Sequence, residues 1–157
     1  MGEDERSLVP DLAALAGEIL LSSGAEIFRV EETIDRICQA YGVASADAFV
    51  LSSGIFLTAG SNQERAFARV RHIPLSGTRL DRVAAVNQLS REIVAGAYTP
   101  LQAREKLLAI KHMPGKSRRT QTLAAALGSG SFCLLFGGGW SDCLVSCGAG
   151  LLLNLYL

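Results

Sequence analysis

The sequence predicts an α+β fold, in which a cytoplasmic helical domain with a β-hairpin (α-α-β-β-α-α) is followed by a transmembrane helical hairpin. Two observations predict it. All 15 lysines and arginines, but only 14 of the 15 acidic residues, precede Thr122, so residues 122–157 contain one charged side chain, Asp142. Before Thr122 the apolar residues recur at helical spacing, except in residues 48–73, where β-branched and aromatic residues dominate.

Two helices open the domain. Helical spacing predicts the first over residues 8–22, with Pro10 in its first turn, and Gly24 allows the corner that follows. The second is predicted over residues 25–41, with Ser23 as its N-cap. Its apolar stripe consists of Ile27, Val30, Ile34, Ile37 and Tyr41.

A β-hairpin is predicted next. Residues 48–59 form its first strand, residues 60–63 (Gly-Ser-Asn-Gln) supply turn chemistry, and residues 66–73 form its second strand. Two strands alone are only marginally stable, so we expect the hairpin to pack on helices or on another chain.

Two further helices complete the domain. Helical spacing predicts the third over residues 80–95. Thr99 and Pro100, an N-cap followed by proline at the first helical position, open the fourth, which extends to about His112. Residues 1–112 are therefore predicted to form the cytoplasmic α+β domain.

The apolar segment 122–157 is predicted to fold back on itself. As one helix it would measure about 54 Å, whereas a hydrocarbon core is about 30 Å thick. Small residues at Ala124/Gly128 and Ser146/Gly150 would allow close helix contact. A buried hairpin in a soluble oligomer is the alternative, although the segment has no charged outer face. The predicted membrane reversal consists of Gly137, Gly138, Gly139, Trp140 and Asp142.

Basic residues predict the orientation. Four basic residues precede the apolar segment: Lys111, and then Lys116, Arg118 and Arg119 within residues 113–121, a basic juxtamembrane linker. No basic residue lies near the reversal. The positive-inside rule therefore predicts a cytoplasmic first domain in a multi-pass protein of the cell inner membrane. The acidic N-terminus does not have the basic start of a signal peptide.

Several function classes are disfavoured. The charges before Thr122 nearly cancel, so no basic face for nucleic acid is expected. Gly115-Lys116-Ser117 lacks the earlier glycine of a phosphate-binding loop, and His72 and His112 have no metal-ligand spacing to other ligands. We therefore expect no enzyme activity, no cofactor and no metal.

The densest polar cluster opens the second helix, and its candidate functional residues are Glu26, Arg29, Glu31 and Glu32. Glu26 suits the positive end of the helix dipole, and Glu32 can pair with Arg36 one turn later. Two interpretations stay open for the cluster: a purely structural role, or a charge network at a domain boundary or near the membrane.

A series of segments carries a family resemblance: LLSSGAEIFRVEETIDRICQAYG, the arginine-containing second strand, DRVAAVNQLSREIVAGAYTPLQAREKLLAI and LAAALGSGSFCLLFGGGWSDCLVSCGAGLL. In this order, over about residues 8–157, they resemble the threonine/serine exporter family, whose bacterial relatives include YjjP-like subunits. The resemblance implies a cytoplasmic domain attached to a multi-helix membrane domain, of which residues 122–157 would be the first helices of a truncated or incomplete part.

The resemblance also implies a function. The chain is expected to be a subunit or N-terminal part of a secondary exporter of small hydrophilic metabolites, with threonine or serine as substrate. One alternative is a succinate (dicarboxylate) exporter subunit of a two-component system, and another is a membrane-tethered sensor or assembly domain. The expected partners are membrane lipid, the small-molecule substrate, and a second copy or a partner membrane subunit.

Overall fold

A computed structural model describes residues 3–43, 46–59, 67–74 and 77–156. The chain divides into two compact units, Met1–Met113 and Pro114–Leu157. The elements are α1 (Glu3–Ser22), α2 (Ile27–Ala40), β1 (Ala46–Leu51), β2 (Gly54–Ala59), β3 (Phe67–His72), α3 (Leu80–Val94), α4 (Pro100–Lys111), α5 (Arg118–Leu135) and α6 (Trp140–Tyr156).

Helix α1 lies in the core of the first unit, where it contacts α2, α3, α4 and β2. Its buried residues extend from Val9 to Leu21 and include several alanines, so neighbouring elements approach it closely. A Cβ atom on Gly17 would lie 2.7 Å from Cδ1 of Ile34 and 2.9 Å from Cδ1 of Ile55. Gly17 therefore allows α2 and β2 to pack against the same part of α1.

The sheet has three antiparallel strands in the order β1-β2-β3, so the predicted number of two strands is wrong, although β2 and β3 pair antiparallel as the hairpin requires. Residues 48–59, which the sequence predicts as one strand, form parts of β1 and all of β2, with a turn at Ser52 and Ser53. A single strand of that length would extend about 40 Å. Folding it in two brings both halves onto the same core. The predicted turn at residues 60–63 lies outside the described residues.

Strands β1 and β2 carry apolar residues on both faces of the sheet. Val50, Ile55 and Leu57 are buried on the inner face. On the outer face Phe49 pairs with Phe56, their ring centroids lie 6.3 Å apart, and both side chains are exposed. An exposed apolar pair of this kind is a candidate contact surface.

The second unit consists of the antiparallel helices α5 and α6. The predicted transmembrane hairpin is wrong, because no helix in the described part of the chain is both long and apolar enough to cross a membrane. Helix α5 has 18 residues and begins with two arginines, and α6 has 17 residues. At 1.5 Å per residue α6 rises about 26 Å, short of a core of about 30 Å.

Glycines set the contact between α5 and α6. A Cβ atom on Gly150 would lie 2.9 Å from the carbonyl oxygen of Ala125, and one on Gly130 would lie 3.1 Å from Sγ of Cys143. Gly128, which the sequence predicts in this contact, has nothing within 4 Å of the position that a Cβ atom would take. Near the open end of the hairpin, Thr122 Oγ1 donates a 2.9 Å hydrogen bond to Asn154 Oδ1.

Candidate functional site

A polar groove lies between α2 and α3 in the first unit, and we call it the α2–α3 groove. Its volume is about 360 Å³. It is lined by Arg29, Glu32, Thr33 and Arg36 of α2 and by Ala84, Asn87 and Arg91 of α3. The volume falls within the range of roughly 300–1,000 Å³ that is usual for small-molecule sites.

Helical periodicity explains why these side chains share one groove. On α2 the lining residues follow the i, i+3, i+4, i+7 pattern, which places them along one side of the helix. On α3 the lining residues Ala84, Asn87 and Arg91 follow the same spacing. The buried residues Val30, Ile34 and Ile37 attach α2 to the core, so the groove lies beside the packed stripe.

The groove carries an excess of positive charge. Arg36 Nη2 donates a 2.5 Å hydrogen bond to Glu32 Oε1, which confirms the predicted pair. Within the described residues neither Arg29 nor Arg91 has a carboxylate partner. The Cζ atom of Arg29 lies 5.6 Å from the ring centroid of Phe28. Arg91 Nη2 donates a 3.2 Å hydrogen bond to Gln88 Oε1. With three arginines and one glutamate, the lining has a formal charge of +2.

Glu31 lies away from this groove. Its Oε1 accepts a 3.0 Å hydrogen bond from the backbone N–H of Val50 in β1. Burial raises the pKa of Asp35, one turn further along α2, and the negative charges of Glu31 and Asp47 add to this effect. Glu31 therefore connects α2 to the first strand, a structural contact.

Glu26 is the N-cap residue of α2, but its exposed side chain makes no capping hydrogen bond. The prediction that Ser23 caps this helix is wrong, because the helix begins later and the buried Ser23 hydroxyl has no hydrogen-bond partner among the described residues. Gly24 has a φ of 80°, which confirms the predicted corner. The candidates thus separate into Arg29 and Glu32 in the groove, Glu31 against β1, and Glu26 at the helix end.

Of the predicted reversal residues, the three glycines lie in the turn between α5 and α6, and Trp140 and Asp142 lie in the first turn of α6. Gly137 has a φ of 83°, a conformation that favours glycine. The backbone N–H of Gly139 donates a 3.0 Å hydrogen bond to Asp142 Oδ2, so the carboxylate holds the start of α6. Trp140 begins that helix and is exposed, and Gly138 is partly buried.

Sequence reasoning missed the α3 half of the groove. Asn87 and Arg91 lie on a predicted helix, and their spacing of four residues marks them as neighbours on one face. Nothing in the sequence shows that this face lies opposite Arg29, because that depends on how α2 and α3 pack. Among the described residues no group of three or more His, Cys, Asp or Glu side chains could hold a metal ion.

Comparisons with known proteins agree on one family. The family model ThrE, described as "Putative threonine/serine exporter", matches residues 11–157. A Corynebacterium glutamicum protein named threonine/serine exporter is 29% identical over 142 residues, which cover 88% of this chain. The chain spans only 29% of the length of that relative. No solved structure matches. The family is one of transporters and not of enzymes, and because its model covers nearly the whole chain, the chain belongs to the threonine/serine exporter family.

Proposed function

We propose that the chain is a subunit or N-terminal part of a secondary exporter of small hydrophilic metabolites, with threonine or serine as the substrate. The observation that carries this proposal is the family match over residues 11–157. The Corynebacterium glutamicum relative is named a threonine/serine exporter, which supports threonine and serine as the substrates. The sequence contains no complete phosphate-binding loop, which favours coupling to an ion gradient over coupling to ATP.

We further propose that the exporter is a multi-pass protein of the inner membrane and that the first unit lies on the cytoplasmic side. Lys116, Arg118 and Arg119 are exposed and close together in the chain, and residues 120–157 contain no basic residue. Such a cluster is attracted to the anionic cytoplasmic leaflet by about 1 kcal/mol per residue. Neither α5 nor α6 is assigned as a membrane crossing.

A partner copy or subunit is part of the same proposal. The outer sheet face exposes Phe49, Phe56 and Val70, and α6 has no buried residue. Exposed apolar surfaces of this kind are typical of contacts with lipid or with other protein chains. We propose that they contact membrane lipid and either a second copy or a partner membrane subunit.

Efflux measurements test the proposed activity. Host cells with and without the encoding gene are loaded with labelled threonine, serine, alanine or succinate, and efflux is followed. Removal of the gene is expected to slow the efflux of threonine and serine and to leave that of alanine unchanged. Restoring the gene is expected to restore the rate. Unchanged threonine and serine efflux, or a change confined to succinate, would contradict the proposed substrate.

A further inference from the structure

We propose that the α2–α3 groove binds a small organic dianion, a molecule with either two carboxylates or a phosphate group. This site goes beyond the export of threonine or serine, since those substrates are zwitterions without net charge at neutral pH. The inference rests on the charge, the available donors and the size of the groove.

The charge of the groove matches a dianion. Arg29 on α2 and Arg91 on α3 have no carboxylate partner in the described part of the chain, while Arg36 is paired with Glu32. Two unpaired guanidinium groups leave a formal charge of +2 in the lining. A ligand with two negative charges neutralises this excess, whereas a zwitterion leaves it in place.

Nearby acids do not supply that neutralisation. Glu31 points to the backbone of β1, where it accepts the Val50 N–H. Glu92 on α3 accepts a 2.8 Å hydrogen bond from Gln88 Nε2. Glu31 and Glu92 therefore form hydrogen bonds outside the groove and do not offset the charge of its arginines.

Hydrogen-bond donors complete the site. Each guanidinium is a planar fork that binds a carboxylate or a phosphate through two parallel hydrogen bonds. The side-chain amide of Asn87 has no hydrogen bond to another described residue, so it is free to bind a ligand. Thr33 contributes no donor, because its hydroxyl donates a 2.8 Å hydrogen bond to the carbonyl oxygen of Arg29.

Binding measurements on the purified full chain test the inference. Titration calorimetry is performed with malonate and with inorganic phosphate at pH 8, and with glycine and chloride as controls at matched ionic strength. We expect malonate, phosphate or both to bind and the two controls not to bind. Binding of malonate alone would identify a dicarboxylate site, and binding of phosphate alone would identify a phosphate site.

Variants then locate the site. Arg29→Gln and Arg91→Gln are each expected to weaken binding roughly tenfold, because each removes a charge-assisted contact. Arg104→Gln is the matched control, since Arg104 is an exposed arginine on α4 outside the groove. We expect this variant to bind the anion as tightly as the native chain does. Arg29→Lys and Arg91→Lys keep the charge but lose the fork, and an intermediate loss is expected.

Three results would overturn the inference: no binding of either anion above chloride, equal binding of glycine, or native affinity in the Arg29→Gln/Arg91→Gln double variant. Circular dichroism checks that each variant is folded. If the glutamine variants do not fold, the affinities of the lysine variants test the inference instead. Because the assay measures binding to the purified chain, its failure leaves the efflux result untouched.

Discussion

Replacement of Gly150 by alanine is expected to loosen the contact between α5 and α6. The added Cβ atom would overlap Oγ of Ser129 and would lie 2.9 Å from both the carbonyl oxygen of Ala125 and Cβ of Ser129. The Ser129 hydroxyl can rotate away, but the backbone oxygen of Ala125 is fixed within its helix. To restore an ordinary contact, the helices must move apart by roughly 0.5 Å, which weakens their remaining van der Waals contacts.

A matched control is available on the same helix. Gly148 has nothing within 4 Å in the direction of a Cβ atom, so Gly148→Ala adds a methyl group in open space. Both substitutions gain about 1 kcal/mol of helix propensity. Only Gly150→Ala has an overpacking cost, about 1–3 kcal/mol. Because both variants share the propensity gain, it drops out of the difference between their free energies of unfolding. Gly150→Ala should therefore be about 1–3 kcal/mol less stable than Gly148→Ala.

Tryptophan fluorescence can follow this unit during urea unfolding. Trp140 is the only tryptophan in the chain, and it begins α6. The expected order of unfolding midpoints is Gly148→Ala above the native chain and Gly150→Ala below Gly148→Ala. If Gly150→Ala is as stable as Gly148→Ala, the close approach of the two helices at this glycine is refuted.

Three further predictions concern the first unit, and urea unfolding checks each. Glu31→Ala should lower the free energy of unfolding by about 1–3 kcal/mol, because the N–H of Val50 loses its charged acceptor; no loss would contradict that contact. Leu107→Ala should cost about 2–5 kcal/mol, since Leu107 is fully buried, whereas Leu101→Ala at an exposed site on the same helix should cost far less. Burial raises the pKa of Cys38 from 9.0 to about 12, so above pH 9 the unfolded chain binds fewer protons than the folded chain. Stability should therefore fall by up to about 1.4 kcal/mol per pH unit from pH 9 to pH 12, and Cys38→Ala should remove this share of the slope.

Local features were predictable where a few neighbouring residues determine the structure. The structure has Thr99 as the N-cap of α4, and Thr99 and Gln102 bond each other's backbone, which confirms the predicted cap. Helix α2 (Ile27–Ala40) lies within the predicted range of residues 25–41, because its apolar stripe has a strict helical period. Both features depend on contacts within about one helical turn.

Features that depend on longer-range packing were not predictable in the same way. The turn at Ser52 and Ser53 lies between apolar runs that resemble one strand, and only the packing of β1 on α2 and of β2 on α1 shows that they are two. Small residues on α5 occur on more than one face, so the sequence alone does not distinguish Gly128, in open space, from Gly130, at the contact. The scarcity of charge after Thr122, where Asp142 is the one charged residue, indicated spanning helices, but the turn between Leu135 and Trp140 shortens both.

The polar cluster on α2 contains two different surfaces, which explains why its role was ambiguous in the sequence. Successive residues of a helix are about 100° apart, so Arg29 and Glu31 are separated by about 200° and face opposite ways, whereas Arg29 and Glu32 are only about 60° apart. The contacts follow this geometry, because Glu31 bonds β1 while Arg29 and Glu32 line the α2–α3 groove. Stability and anion binding should therefore respond to different substitutions: Glu31→Ala should lower stability and retain binding, and Arg29→Gln should weaken binding and retain stability. If both substitutions changed both properties, the cluster would have to act as one network.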